Sequence, residues 1–345
     1  MIPIQNIYYM LSYAFQVLNE QGYKNMATEQ FNNTGELMAA ILEKGIAIQL
    51  KRGLGKEYIL QTEALSSLRG KIDIAESIKT QSMLRKQLIC TYDEFSVNSI
   101  MNRIIKSTVE LLLRSNISKQ RKKNLRKLMV YFSEVDFIDL YTVNWNVQYN
   151  RNNQTYRMLI SICYLVVKGL LQTQSNGHTE LMDFLDEQRM CRLYEKFILE
   201  YYRKEFKNQF TANASQIPWQ LDNEENSMLP VMQSDIMLQS GEKVLIIDAK
   251  YYEHSTQVQF DKHTLHSGNL YQIFTYVKNK EYELREKNHT VSGMLLYAKT
   301  DEEIYPNNVY QMSGNQITVR TLDLNLPFDE IAGQLNTIAK THFDL

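Results

Sequence analysis

Residues 231–252, VMQSDIMLQSGEKVLIIDAKYY, hold two apolar runs separated by Gln239-Ser240-Gly241-Glu242. That spacer is turn chemistry, so the stretch reads as a β-hairpin. Asp235 falls in its first strand, while Asp248 and Lys250 close the second, after Val244-Leu245-Ile246-Ile247. Side chains two apart on a strand share a face, so 248 and 250 point the same way. Two carboxylates and an ammonium at the end of a buried strand need partners or a metal, because an isolated buried charge is costly. Carboxylate oxygens are the hard ligands that Mg2+ takes. A metal-bound water beside a lysine is a route to hydroxide attack on a phosphodiester.

Spacing alone carries little weight, since Asp186, Glu205 and Lys207 repeat the same D-x(n)-[DE]-x-K pattern. They fall in a helical pattern, where residues two apart diverge, and that match is chance. The hairpin and its apolar strand single out the first set. Gln272 and Tyr276, four apart on a helix predicted after the hairpin, share a face and could brace the lysine or reach DNA phosphate. With Leu270, Ile273 and Phe274 beside them, an ordinary amphipathic helix competes with that reading. Glu195, between Leu193 and Phe197, is either a rim residue or a third carboxylate of a metal site. His254, His263 and His266 crowd the loop after Lys250, but their spacing matches no common zinc site and no cysteine joins them. There is no Gly-rich phosphate loop and no GxSxG or Cys–His nucleophile.

Outward from the hairpin, 185–206 predicts a long helix and 269–278 another, with further strands at 292–298 and around Val309 and Ile317. This is an α/β arrangement: a mixed sheet flanked by helices. The first half is mostly helical, with helices predicted over 7–18, 35–48, 98–114 (Asn98 a possible cap) and 156–171. A small β element is expected in LQTEALSSLRGKIDIAESIK, around Arg69-Gly70. The Asn-rich 144–155 and the connector 172–178 separate an N-terminal domain, 1–170, from a C-terminal domain, 180–345.

A chain of 345 residues, 44% hydrophobic and 22% charged, suits two globular domains, and 13 Gly with 5 Pro exclude a fibrous or disordered protein. Cys90, Cys163 and Cys191 stand far apart, against a disulfide scaffold. With no basic leader and no apolar run long enough to span a bilayer, a cytoplasmic protein without membrane contact is expected. The net charge of −1 hides 22 Lys+Arg against 14 Asp+Glu in residues 1–178 and 16 against 25 in the rest. From Arg114 to Lys127 there are seven Lys/Arg and no acid, either a solvated face or a contact for nucleic-acid phosphates.

Asp235, Asp248-Ala249-Lys250 and Gln272-x3-Tyr276 resemble the PD-(D/E)xK nuclease superfamily. IPIQNIYYMLSYA (2–14), LRGKIDIAESI (68–78), NRIIKST (102–108), LYEKF (193–197), MLPVMQSDI (228–236), VLIIDAKYY (244–252) and HSGNLYQ (266–272) resemble the McrC family. These are nuclease subunits of the McrBC modification-dependent (5-methylcytosine) restriction systems, and the resemblance covers nearly the whole chain. It implies an N-terminal domain that docks onto a hexameric, McrB-type GTPase, which binds the GTP and reads modified cytosine. It also implies a C-terminal PD-(D/E)xK restriction-endonuclease-like domain that cuts double-stranded DNA with Mg2+. Carried over, Asp235 and Asp248 ligate the metal, Glu195 is a further ligand, and Lys250 positions or activates the water. Ser234 stands where the superfamily often has proline. The family also stimulates its partner's GTP hydrolysis, for which Arg69 is a guess. The alternatives are a non-catalytic adaptor or activator of the GTPase and an autonomous DNA-processing nuclease.

Overall fold

The computed structural model describes residues 2–15, 18, 31, 33–150, 153, 155–175, 187–222, 228–252, 256–259, 262–299 and 305–345. The chain forms two bodies, Asn32–Met182 and a second that joins Met1–Phe31 to Asp183–Leu345. The opening segment, expected in the N-terminal domain 1–170, therefore groups with the C-terminal one.

In the Asn32–Met182 body, α2 (Thr34–Arg52), α4 (Ile100–Arg114), α5 (Lys119–Met129) and α6 (Tyr156–Ser175) bury Leu37, Ile41, Ile104, Leu112, Leu125 and Ile162. The Tyr156 hydroxyl ties the helices to a loop: it accepts from Gly55 N at 2.7 Å and donates to Asn102 Oδ1 at 2.7 Å. The cap of α4 is Ser99, whose Oγ accepts from Asn102 N, and Asn98 instead donates to Asp136. The small β element is an antiparallel sheet in the order β1-β3-β2, from β1 (Glu57–Leu65), β2 (Lys71–Asp73) and β3 (Leu88–Ser96). The second half of its predicted run becomes α3 (Ile74–Lys79), because the Asp73 side chain accepts from Glu76 N and starts a helix. Gly70 has φ +68°, and a Cβ there would lie 2.4 Å from the Thr91 carbonyl oxygen, so the turn admits only glycine.

In the other body, α1 (Ile4–Ala14) packs on α7 (Glu187–Glu205). The Tyr13 hydroxyl donates to Glu205 at 2.9 Å, and Asn6 Nδ2 donates to the carbonyls of Leu324 and Leu326, each at 2.8 Å. The six-stranded mixed sheet runs β12-β13-β11-β8-β7-β4. Its members are β4 (Thr211–Asn213), β7 (Ile236–Ser240), β8 (Lys243–Lys250), β11 (Thr290–Ala298), β12 (Asn308–Met312) and β13 (Asn315–Leu322). Strands β8, β11 and β13 are parallel, and β7 is antiparallel to β8, so the predicted hairpin forms. Near-continuous apolar runs such as 244–247 follow from a sheet covered on both faces. Helix α8 (Ser267–Glu283) buries Ile273 and Val277 against Val244, Ile246, Leu295 and Ile317. The fit is tight at Gly293 of β11, where a Cβ would meet Ile273 Cγ1 and Val277 Cγ2 at 2.8 Å and Ile317 Cδ1 at 2.9 Å. Helix α9 (Phe328–Phe343) packs on β13, and the hairpin of β9 (Thr256–Gln259) with β10 (Lys262–Leu265) lies before α8; neither was anticipated.

The run 231–238 is not one strand. It divides into β6 (Met232–Gln233), which pairs with β5 (Gln216–Ile217) in a separate two-stranded sheet, and β7. Among the described residues, no helix is long and apolar enough to cross a membrane.

Candidate active site

The break between β6 and β7 delivers Asp235. Ser234 is buried, its N–H donates to the Ser215 carbonyl at 3.0 Å, and its Oγ donates to the same oxygen at 3.2 Å. A proline at 234 could not make the first of these bonds. Pinned this way, the chain leaves the ladder for two residues. Asp235, expected inside the strand, sits in the gap and turns its carboxylate along the neighbouring strand, where Oδ2 accepts from Ala249 N at 2.9 Å.

Asp248 is 1% exposed near the end of β8. Its Oδ1 accepts from Lys250 Nζ at 3.0 Å, as the shared strand face requires. Its Oδ2 is buried and has no hydrogen-bond partner among the described residues, although the Lys250 ammonium lies 2.9 Å away. Burial pushes the Asp248 carboxyl up to about 7, the Lys250 charge pulls against that rise, and Asp235 adds to it. Lys250 is pulled down by burial, but the Asp248 carboxylate prevails and holds the ammonium above its ordinary range. Lys250 also donates to Gln272 Oε1 at 3.3 Å, and Gln272 Nε2 donates to the Tyr276 hydroxyl at 2.9 Å. The lysine is thus braced by Gln272, with Tyr276 fixing the amide.

Glu195 of α7 faces the same place. It lines a cleft of about 400 Å3 with Arg192, Lys196, Ser234 and Asp235. Burial raises the Glu195 carboxyl, and Asp235 raises it further. Cys191 donates to Glu195 Oε1 at 3.1 Å. Arg192 and Lys196 were missed in the sequence, although both lie within one turn of Glu195. A buried chain in which Tyr252 donates to Asn269 and Asn269 to the Tyr297 hydroxyl was missed as well, because its members come from three separate elements. Arg69, in the other body, lies over the Tyr92 ring at 4.4 Å. Asp186 and His254 lie outside the described residues, as does the side chain of His263; Glu205 is engaged by Tyr13.

The donor set suits a hard cation. Asp248 Oδ2 is a buried carboxylate oxygen whose charge the Lys250 ammonium meets at 2.9 Å, and Asp235 with Asp248 offers the hard oxygen ligands that a divalent cation takes. Among the described residues no group of three or more His, Cys, Asp or Glu could hold a metal ion by itself. Asp235 and Asp248 are the residues that could hold a divalent cation, since Mg2+ needs only one or two protein carboxylates beside waters and phosphate oxygens.

The chain is 29% identical over 330 residues to the type IV methyl-directed restriction enzyme EcoKMcrBC of Escherichia coli strain K12, covering 94% of this chain and 93% of that protein. Among solved structures it is similar to a half-complex from a tetradecameric assembly of Thermococcus gammatolerans McrB AAA+ hexamers with bound McrC (18% identity, TM-score 0.48, 97% of this chain and 76% of that one). It is also similar to the T. gammatolerans McrBC complex (22% identity, TM-score 0.41, 59% of each chain). The model of the McrBC family, 5-methylcytosine restriction system components, matches residues 5–298, and the chain belongs to that family.

Proposed function

We propose that this chain is the DNA-cutting subunit of a GTP-dependent restriction complex directed at modified cytosine, a cytoplasmic, Mg2+-dependent endodeoxyribonuclease with a PD-(D/E)xK domain. The observation that carries the reading is the convergence of Asp235, Asp248, Lys250 and Gln272 on one end of the sheet, with Asp248 Oδ2 buried and lacking a hydrogen bond. Asp235 and Asp248 would hold Mg2+, with Glu195 at the cleft side. The ion supplies Lewis-acid polarisation of the phosphate and acidifies water. Lys250, kept protonated by Asp248, donates to the phosphate oxygen where negative charge grows. Gln272 fixes the ammonium's direction, and Tyr276 fixes Gln272. Partner docking falls to the Asn32–Met182 body. Tyr58 and Leu60 of β1 and Phe95 of β3 stand 75%, 68% and 56% exposed on one sheet face, an apolar surface of the kind that protein partners cover. The GTP belongs to that McrB-type partner.

The test is cleavage of methylated and unmethylated plasmid, with and without the cognate GTPase, GTP and Mg2+, beside Lys250→Ala. Cutting that requires partner, GTP and methylation and disappears in Lys250→Ala is the expected result. Cutting by the chain alone would make it an autonomous nuclease. A raised partner GTPase rate with no cutting would make it an adaptor.

A further inference from the structure

Helix α5 is divided cleanly along its length. One side is clamped to α2 by two glutamates. Glu36 accepts from Ser118 N at 2.9 Å and from Ser118 Oγ at 2.8 Å; Glu43 accepts from Arg121 at 2.9 Å and from Asn124 Nδ2 at 2.9 Å. Leu125 on that side is fully buried. The opposite side presents Lys119, Lys123 and Arg126, at i, i+4 and i+7, flanked by Lys122 and Lys127. Among the described residues none of these five forms an ion pair, and α5 contains no acidic residue. The spacing sets like charges three and four apart, which destabilises a helix, and puts Lys119 in the first turn, where the dipole disfavours a cation. Only Arg126 and Lys127, in the last turn, sit where the dipole favours a cation.

We infer that this face of α5 is a second DNA contact, a row of cations that grips duplex phosphates without reading sequence. It rests on the DNA-cutting reading above and names a surface which that reading does not use. The row spans about 12 Å from Lys119 to Lys127 at 1.5 Å per residue, a length over which one strand presents three or four phosphates at about 3.4 Å of axis each. Protein interfaces have apolar centres and few lysines. Here exposed apolar side chains, Val130 and Tyr131, appear only beyond the helix's end.

The experiment is fluorescence anisotropy of a labelled duplex titrated with the full chain over a series of KCl concentrations. It compares wild type with a variant carrying Lys123→Gln, Arg126→Gln and Lys127→Gln, and with a control carrying Lys44→Gln, Lys51→Gln and Arg52→Gln on α2. Each phosphate contact contributes about 0.9 to the slope of log K against log salt. The α5 variant should lose about three units of slope and bind at least roughly tenfold more weakly at low salt, melting no lower than wild type. The control should keep its slope. An unchanged slope in the α5 variant overturns the inference, and so does an equal loss in the control, which would reflect net charge alone. Loss of GTPase binding with DNA affinity intact overturns it too, and assigns the face to an acidic protein surface. Cleavage by the wild-type complex, read in parallel with the titrations, separates the two readings. If the α5 variant loses DNA while even the wild-type complex never cuts, the surface stands and the nuclease reading fails.

Discussion

Replacing Gly293 by alanine should damage the site from behind. The new methyl would lie 2.8 Å from Ile273 and Val277, both on α8, and 2.9 Å from Ile317. Carbon atoms in contact settle about 3.5–4.0 Å apart, so α8 must retreat by roughly 0.7 Å or more. Ile273 and Val277 are one turn apart and move as a unit. Gln272 moves with them, and its 3.3 Å bond from Lys250 stretches to about 4 Å, beyond hydrogen-bond range. Overpacking of this kind costs about 1–3 kcal/mol. At about 2–4 °C for each kcal/mol in a body of this size, melting should fall by about 2–12 °C. The assay is thermal unfolding of the chain, followed by single-turnover cleavage in the assembled complex. Gly268→Ala is the control, because no atom lies within 4 Å of a Cβ there. Melting within a degree of wild type would refute the packing argument. Lowered melting with undiminished cleavage would refute the link from α8 to Lys250.

Other outcomes follow from the same geometry. Gln272→Ala should slow cleavage about tenfold by releasing the Lys250 ammonium, and Tyr276→Phe should slow it less; equal rates for both variants and wild type would remove Gln272 from the site. Because burial holds the Asp248 carboxyl up near 7 in the fold, its contribution to stability is fully present below about pH 4 and is lost as pH rises through about 7. Melting curves without Mg2+ should show Asp248→Asn gaining on wild type across that window. Since a metal ligand must be ionised, Mg2+ affinity measured by calorimetry should climb over the same range. In the other body, Tyr156→Phe strands Gly55 N and Asn102 and should cost about 1–3 kcal/mol by denaturant unfolding; a loss under about 0.5 would show the network to be dispensable.

Much of the body that carries the six-stranded sheet was legible in the chain because it depends on short spacings. The period of two puts Asp248 and Lys250 on one face, the turn at 239–242 closes the hairpin, and helical spacing brings Gln272 to Tyr276. The same local rules found α4 and the β element around Gly70. What they could not fix was anything supplied from afar. The cap of α4 shifted to Ser99 because Asp136 claims Asn98, 38 residues on. Asp235 left its strand because Ser215 supplies a carbonyl to Ser234.

The membership of α1 shows the division most plainly. Its amphipathic pattern was visible in the sequence, but which core it buries against is decided by Glu205 and by the carbonyls of Leu324 and Leu326, more than 300 residues from Asn6. The direction of Lys250 is likewise settled by Gln272, on an element across the sheet. The sequence by itself determined which side chains share a face, since covalent geometry sets that within a few residues. Only the tertiary structure decided which buried polar groups meet, because each needs a partner brought by another part of the chain.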